Sequence, residues 1–332
     1  MKTELLKEKM HGIFKTYGIY IIFILLMIVG TILSPVFLTS KNLLNVLRQL
    51  SVIGILAFAE MLLIISGNID LSLGAVVAFS GMVSVTAYLS TGSFLVTILV
   101  AMAVSAACCM VSGVLVAIFK LPAFIATLAM DYIARGFCYI YTGGQPTYDI
   151  KGYGNISSGF IGNIPIPVIF LLIIAFLCWI IASKTTLGRD IYAIGGNMDA
   201  ANASGINVKK TIIKTFLIAG LLTGIAAVLQ IARVNSGLPD TAQNYHGDAI
   251  ASAVIGGTSF TGGLGSVPGT FVGAIIMGMI SNILNLVGVQ SYIQMVVKGV
   301  IIIAAIAFDL KGKNFKISKK ATKAKKAEIG QG

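Results

Sequence analysis

About ten apolar runs, most of them long enough to cross a lipid bilayer, leave little of this chain free to fold in water. They lie at residues 17–33, 50–66, 71–89, 94–119, 122–141, 164–182, 212–231, 267–287 and 292–308, with a shorter piece at 248–259. A crossing helix needs roughly 17–25 apolar residues. The short piece is therefore expected to be a half-helix or re-entrant segment shielded by its neighbours. Composition agrees. The chain is 57% hydrophobic and only 11% charged, where soluble domains carry about 25% charge. The predicted fold class is an all-α membrane protein of about ten transmembrane segments. Its expected parts are a cytoplasmic amino terminus (1–16), a membrane domain (17–310) and a lysine-rich cytoplasmic tail (311–332).

Charge sets the expected orientation. The formal net charge is +12, which could suggest nucleic acid, but the lysines cluster beside predicted spans. Eight follow Asp309, and Lys2, Lys7, Lys9 and Lys15 precede the first run. Such clusters hold orientation or meet anionic headgroups. With both ends inside, eighteen of the 24 basic residues fall on the inner side, as the positive-inside bias requires. The first apolar run is led by charge like a signal peptide but ends in Ser34-Pro35 without a small-residue cleavage site, so it reads as an uncleaved span. Cys108, Cys109, Cys138 and Cys178 sit inside apolar runs without metal-ligand spacing, as small core residues do.

Two polar turns on the predicted inner side break long hydrophobic runs. One is ISGNIDLSLG (65–74), the other IGGTSFTGGLGSVPG (255–269). They are loosely alike, as a weak internal repeat would be. Broken helices at matched places in two halves point to a transport pathway, although ordinary tight turns would look similar. Asn68, Asp70, Ser72, Thr258 and Ser259 are the candidate pathway residues. Gly220-xxx-Gly224 and Gly269-xxx-Gly273 are seams for close helix packing.

Ionisable groups within spans are rare and usually paired or facing water. Asp131 and Arg135 stand four apart on the fifth segment, so they are expected to pair on one helix face, in a structural or a substrate-binding role. Glu60 has no obvious local partner, Lys298 is placed to snorkel, and Asp248 is expected to cap the short segment. His11 and His246 carry no ligand spacing. No metal site, cofactor site or catalytic residue is predicted, and GxxxxGK[ST], HExxH and GxSxG are absent. Any ATP must be handled by another subunit.

One long polar stretch, 183–210, divides the apolar runs. Within it Asn197 can cap a short helix over 198–204, with Asp199 in its first turn and Gly205 at its end. Seven residues do not make a stable helix alone. It must pack on its own membrane domain or in a groove of a partner.

The stretch LGRDIYAIGGNMDAANASGINV (187–208) closely resembles the cytoplasmic coupling region of permease subunits in the ribose/xylose/galactose branch of ABC importers. Similar motifs run along the chain: SPVFLTSKNLLNVLRQLSV, GNIDLSLGA, PAFIATLAMDYIARG, GDAIASAVIGGTSFTGGLGSVPGT and NLVGVQSYIQMVVKGV. The likeness is greatest to ribose-type permeases. It implies a homodimeric pore in a bacterial inner membrane, with a helical fold like that of the vitamin B12 importer permease. Cytoplasmic ATPase subunits would carry ATP and Mg, and an extracytoplasmic binding protein would deliver the sugar. Gly188, Arg189, Ala193, Gly195, Gly196, Asn197, Ala200, Ala201, Ser204 and Gly205 would form the coupling surface. A secondary transporter or channel for a small polar solute is the alternative.

Overall fold

Helices dominate the computed structural model, which describes residues 19, 21–148, 150–307 and 309–310. The amino-terminal lysines, His11, the 1–16 segment and the 311–332 tail lie outside the described residues. Helix α1 spans Ile21–Leu33. It is followed by α2 (Ser40–Ile65), α3 (Leu73–Thr91), α4 (Phe94–Ala117) and α5 (Ala123–Thr142). A single-turn α6 (Asn155–Ser158) and a two-residue antiparallel hairpin, β1 (Phe160–Ile161) with β2 (Ile164–Pro165), lead into α7 (Ile166–Lys184). Then come α8 (Thr186–Gly196), α9 (Met198–Ala203), α10 (Val208–Val234), α11 (Tyr245–Ile255) and α12 (Val267–Leu286). Ser291–Ala307 forms α13. Among the described residues, seven helices are long and apolar enough to cross a membrane: α2, α3, α4, α5, α7, α10 and α12. Helices α1 and α13 are shorter and apolar, and α11 has 11 residues.

Helix α2 is the centre of the molecule. Its stretch Ala57–Leu63, apolar but for Glu60, is wholly buried on every face, as expected of a helix in the centre of a bundle. It packs against α7, α10, α11 and α12. It starts ten residues earlier than the apolar run at 50–66 suggests. Thr39 caps it by accepting from the Asn42 amide, so the polar turns around Asn42 and Arg48 belong to the helix. Helices α4, α5 and α7 instead keep large apolar side chains on their outer faces, among them Leu99, Phe124, Leu172 and Phe176.

Helices gain little from the hydrophobic effect against lipid, so close backbone approach and hydrogen bonds hold them together. The predicted glycine seams serve that purpose. A Cβ at Gly220 would meet Ala106 and the Ser105 carbonyl, and one at Gly224 would meet the Met102 backbone. These contacts press α10 onto α4, and the Ser105 hydroxyl donates to the Gly220 carbonyl at 2.7 Å. Gly269 and Gly273 likewise let α12 ride on the carbonyls of Gly256 and Ser252 at the end of α11. Farther out, Asn42 and Asn282 exchange amide hydrogen bonds of 2.9 and 2.8 Å, tying α2 to α12.

Candidate functional site

The two broken turns and the polar stretch at 183–210 meet on one face of the bundle. Beyond Ile65 the chain folds back along α2, so that the Asp70 amide donates to Glu60 Oε1 at 3.1 Å. Glu60 therefore has a partner that spacing alone did not show. Asp70 Oδ1 accepts from the Ser72 amide at 2.8 Å and from its hydroxyl. Asn68 donates to the Ser66 carbonyl and hydroxyl. In the second turn Thr258 lies 3.4 Å from the Thr270 hydroxyl, and Ser259 donates to Asp309 at 3.0 Å. All five candidate pathway residues are thus buried and bonded locally or to a neighbouring helix. The structure brings them to the same end of the molecule but not to a common open surface.

The turns are joined to each other and to the polar stretch. The Gly263 amide donates to the Ile65 carbonyl at 2.8 Å. Gly195, near the end of α8, seats directly on both: a Cβ there would collide with the Ile65 carbonyl and lie 2.6 Å from the Gly263 nitrogen. A Cβ at Gly262 would lie 2.8 Å from the Gly195 carbonyl. Gly262 (φ +84°) and Gly263 (φ +74°) take left-handed backbone, which glycine adopts without cost. One residue turn earlier, the Tyr192 hydroxyl donates to the Gly265 carbonyl at 2.8 Å. Partial burial pushes the Tyr192 phenol above its ordinary value.

Helix α8 was not expected as a separate element. Thr185 caps it by accepting from the Gly188 amide at 3.1 Å, and Ile191 and Ile194 are buried against the core with Leu187 beside them. The apolar spacing 187, 191, 194 is that of one helix face and was the available signal. Gly188 allows the sharp entry from α7, since a Cβ would strike the carbonyls of Ile181 and Ala182.

The short helix α9 runs close to its predicted bounds. Asn197 Oδ1 accepts from the Ala200 amide at 2.9 Å, Asp199 lies in the first turn, and Gly205 leaves with φ +85°. The Asn197 amide donates back to the Ala193 carbonyl at 3.0 Å, joining α9 to α8. Ala201 is the inward residue at 4% exposure. Arg189, Gly196, Asn197, Met198, Ala200, Asn202, Ala203, Ser204 and Gly205 face outward. One edge of the junction is therefore locked into both turns, while the other is a slim surface of small residues.

Three expectations about charge are corrected. Arg135 does not pair with Asp131; its Nη1 donates to the carbonyls of both Pro239 and Thr241, at 2.8 and 3.0 Å. Lys298 does not simply snorkel, because its ammonium lies 2.7 Å from Asp248. Asp248 is not a cap: α11 begins at Tyr245, after Asn244, and Asp248 instead meets α13.

The match to known sequences covers the same body of helices. A family model described as "Branched-chain amino acid transport system / permease component" matches residues 42–306. The chain is 42% identical over 293 residues to "Ribose import permease protein RbsC" of Escherichia coli (strain K12), covering 87% of this chain and 91% of that one. It is 38% identical over 296 residues to "D-allose transport system permease protein AlsC" of the same strain, covering 88% and 91%. It is 33% identical over 336 residues to that strain's "Probable ABC transporter permease protein YphD", covering 98% and 97%. No solved structure matches. The chain belongs to this family of transport-system permease components and is an integral, multi-pass membrane protein.

Proposed function

We propose that this chain is the membrane-spanning subunit of an ATP-driven ABC importer for a ribose-like monosaccharide. The sugar class comes from relatives named for ribose import and D-allose transport. The observation that carries the mechanism is the seating of Gly195 on both Ile65 and Gly263. A soluble partner gripping the exposed edge of α8–α9 would push on both broken turns together. In this reading two copies form the pore and cytoplasmic ATPase subunits bind ATP with Mg. An extracytoplasmic binding protein supplies the sugar.

The fold in the membrane would comprise ten segments per subunit, counting α1, α11 and α13 with the seven long helices, and α11 would not cross alone. That count resembles the vitamin B12 importer permease and would leave both termini in the cytoplasm of a bacterium. ATP-driven closure of the ATPases would displace α9, drag α8, and shift the turns at 66–72 and 256–266, opening the pore inward.

The test is reconstitution in proteoliposomes with and without the ATPase and the binding protein, following radiolabelled ribose. Uptake is expected only with both partners and ATP. Uptake by this chain alone would establish the secondary-transporter reading instead.

A further inference from the structure

The segment between α10 and α11 drops deep into the helical body. Its Gly237 lies where an added Cβ would meet Met82 Sδ at 2.7 Å and Val85 at 3.4 Å. Five residues on, the Ala242 carbonyl would lie 2.5 Å from a Cβ at Gly74. From Val85 to Gly74 along α3 is about 16 Å at 1.5 Å per residue. Helix α11 therefore starts far below the end of α10. Consistently, Asp248 meets Lys298 near the middle of α13.

This descent is held by specific contacts. Arg135 grips the carbonyls of Pro239 and Thr241, and Gln230 donates to the Thr241 hydroxyl at 3.1 Å. Asn235, Ala242 and Asn244 all have positive φ, between +52° and +64°, uncommon for residues with a Cβ. Such backbone concentrates at functional sites and persists only where the surroundings fix it. Non-helical chain at membrane depth is tolerated only when sealed in protein or lining a watery cavity, and Gln243 and Asn244 are exposed.

The groups left over point to a ligand type. Among the described residues Arg135 bonds two carbonyls through Nη1, Arg233 bonds Gln230 and Tyr245, and Lys298 pairs with Asp248. The side chains of Gln243 and Asn244 and the Asp131 carboxylate make no hydrogen bond among the described residues, and His246 Nδ1 is buried without a partner. Amides and a neutral imidazole both donate to and accept from hydroxyls, and an ionised carboxylate accepts from them. Asp131 and the exposed Asp240 are both carboxylates without a hydrogen bond among the described residues, and with the amides and the imidazole they make a mixed set of donors and acceptors, which suits hydroxyls that do both.

We propose that the unwound segment 241–247, with Asp131, is a mid-depth transit station for a neutral polyhydroxylated solute such as a monosaccharide. Its exposed side chains replace part of the hydration of the sugar hydroxyls. Several modest hydrogen bonds suit passage, since a site that conducts must release what it binds. This rests on the importer reading above.

The test uses the whole complex and radiolabelled D-ribose. Gln243→Leu and Asp131→Leu are each expected to lower uptake at least tenfold while the chain still co-purifies with the ATPase. Uptake within twofold of the native chain in both variants would overturn the station. In a background lacking Cys108, Cys109, Cys138 and Cys178, Gln243→Cys should react with a small impermeant methanethiosulfonate, and ribose with the binding protein should slow that reaction at least threefold. A cysteine that never reacts would mean the segment is sealed in protein, overturning the proposal independently of folding effects. If the native complex takes up no ribose, the importer reading itself fails. Native uptake with indifferent variants removes the station alone.

Discussion

Single atoms decide what the junction tolerates. Gly195 and Gly196 are neighbours with opposite surroundings: a Cβ at Gly195 strikes the Ile65 carbonyl, whereas one at Gly196 meets nothing within 4 Å. Gly195→Val should therefore cost about 1–3 kcal/mol through forced backbone movement, while Gly196→Ala should leave thermal unfolding in detergent nearly unchanged. Equal effects would show that Gly195 is not wedged between the turns. The paired amides of Asn42 and Asn282 give a second expectation. Asn282→Ala leaves the partner amide short of a bond, at a cost of about 1–2 kcal/mol. The same unfolding assay should resolve it, and the Asn42→Ala, Asn282→Ala double variant should lose less than the sum of the singles.

At the scale of elements, α9 is too short to be self-sufficient. With 6 residues it is far below the length at which isolated helices persist, so Asn197 and the α8 contact hold it. Replacing Asn197 by Ala should cost about 1 kcal/mol of local stability, read as faster amide exchange at Ala200 and Ala201 with little change in the core. Unchanged exchange would remove the cap from the account. This helix was legible in the sequence because a capping asparagine, a first-turn acid and a terminal glycine are local signals. The two glycine seams were legible for the same reason. Helix α8 was not, because its apolar face is only three residues long and the polar stretch around it hides the period. The early start of α2 was lost behind Asn42 and Arg48, whose tertiary partners, Asn282 and the Phe160 ring, are far away in the chain. Local spacing also misassigned Arg135, since two backbone carbonyls more than a hundred residues away outcompeted Asp131 four residues off. For α2 and Arg135 what failed was a long-range contact that no short-range pattern encodes.

For the whole molecule, the turns at 66–72 and 256–266, the junction α8–α9 and Asp309 at the carboxyl end of the described chain gather at one end. If that end faces the cytoplasm, a cysteine introduced at 313–326 in a background lacking the native cysteines should resist an impermeant thiol reagent in intact cells. Labelling from outside would invert the orientation. The central claim is that the exposed edge of α9 receives the ATPase while its inner edge carries motion to both turns. Ala203 tests it most directly, because it is exposed and its replacement disturbs none of the contacts that seat α8. Co-purification of the ATPase with an Ala203→Glu chain, measured against the native chain, should fall at least tenfold while thermal unfolding of the isolated subunit stays within a degree or two. Full ATPase recovery with Ala203→Glu would contradict the account.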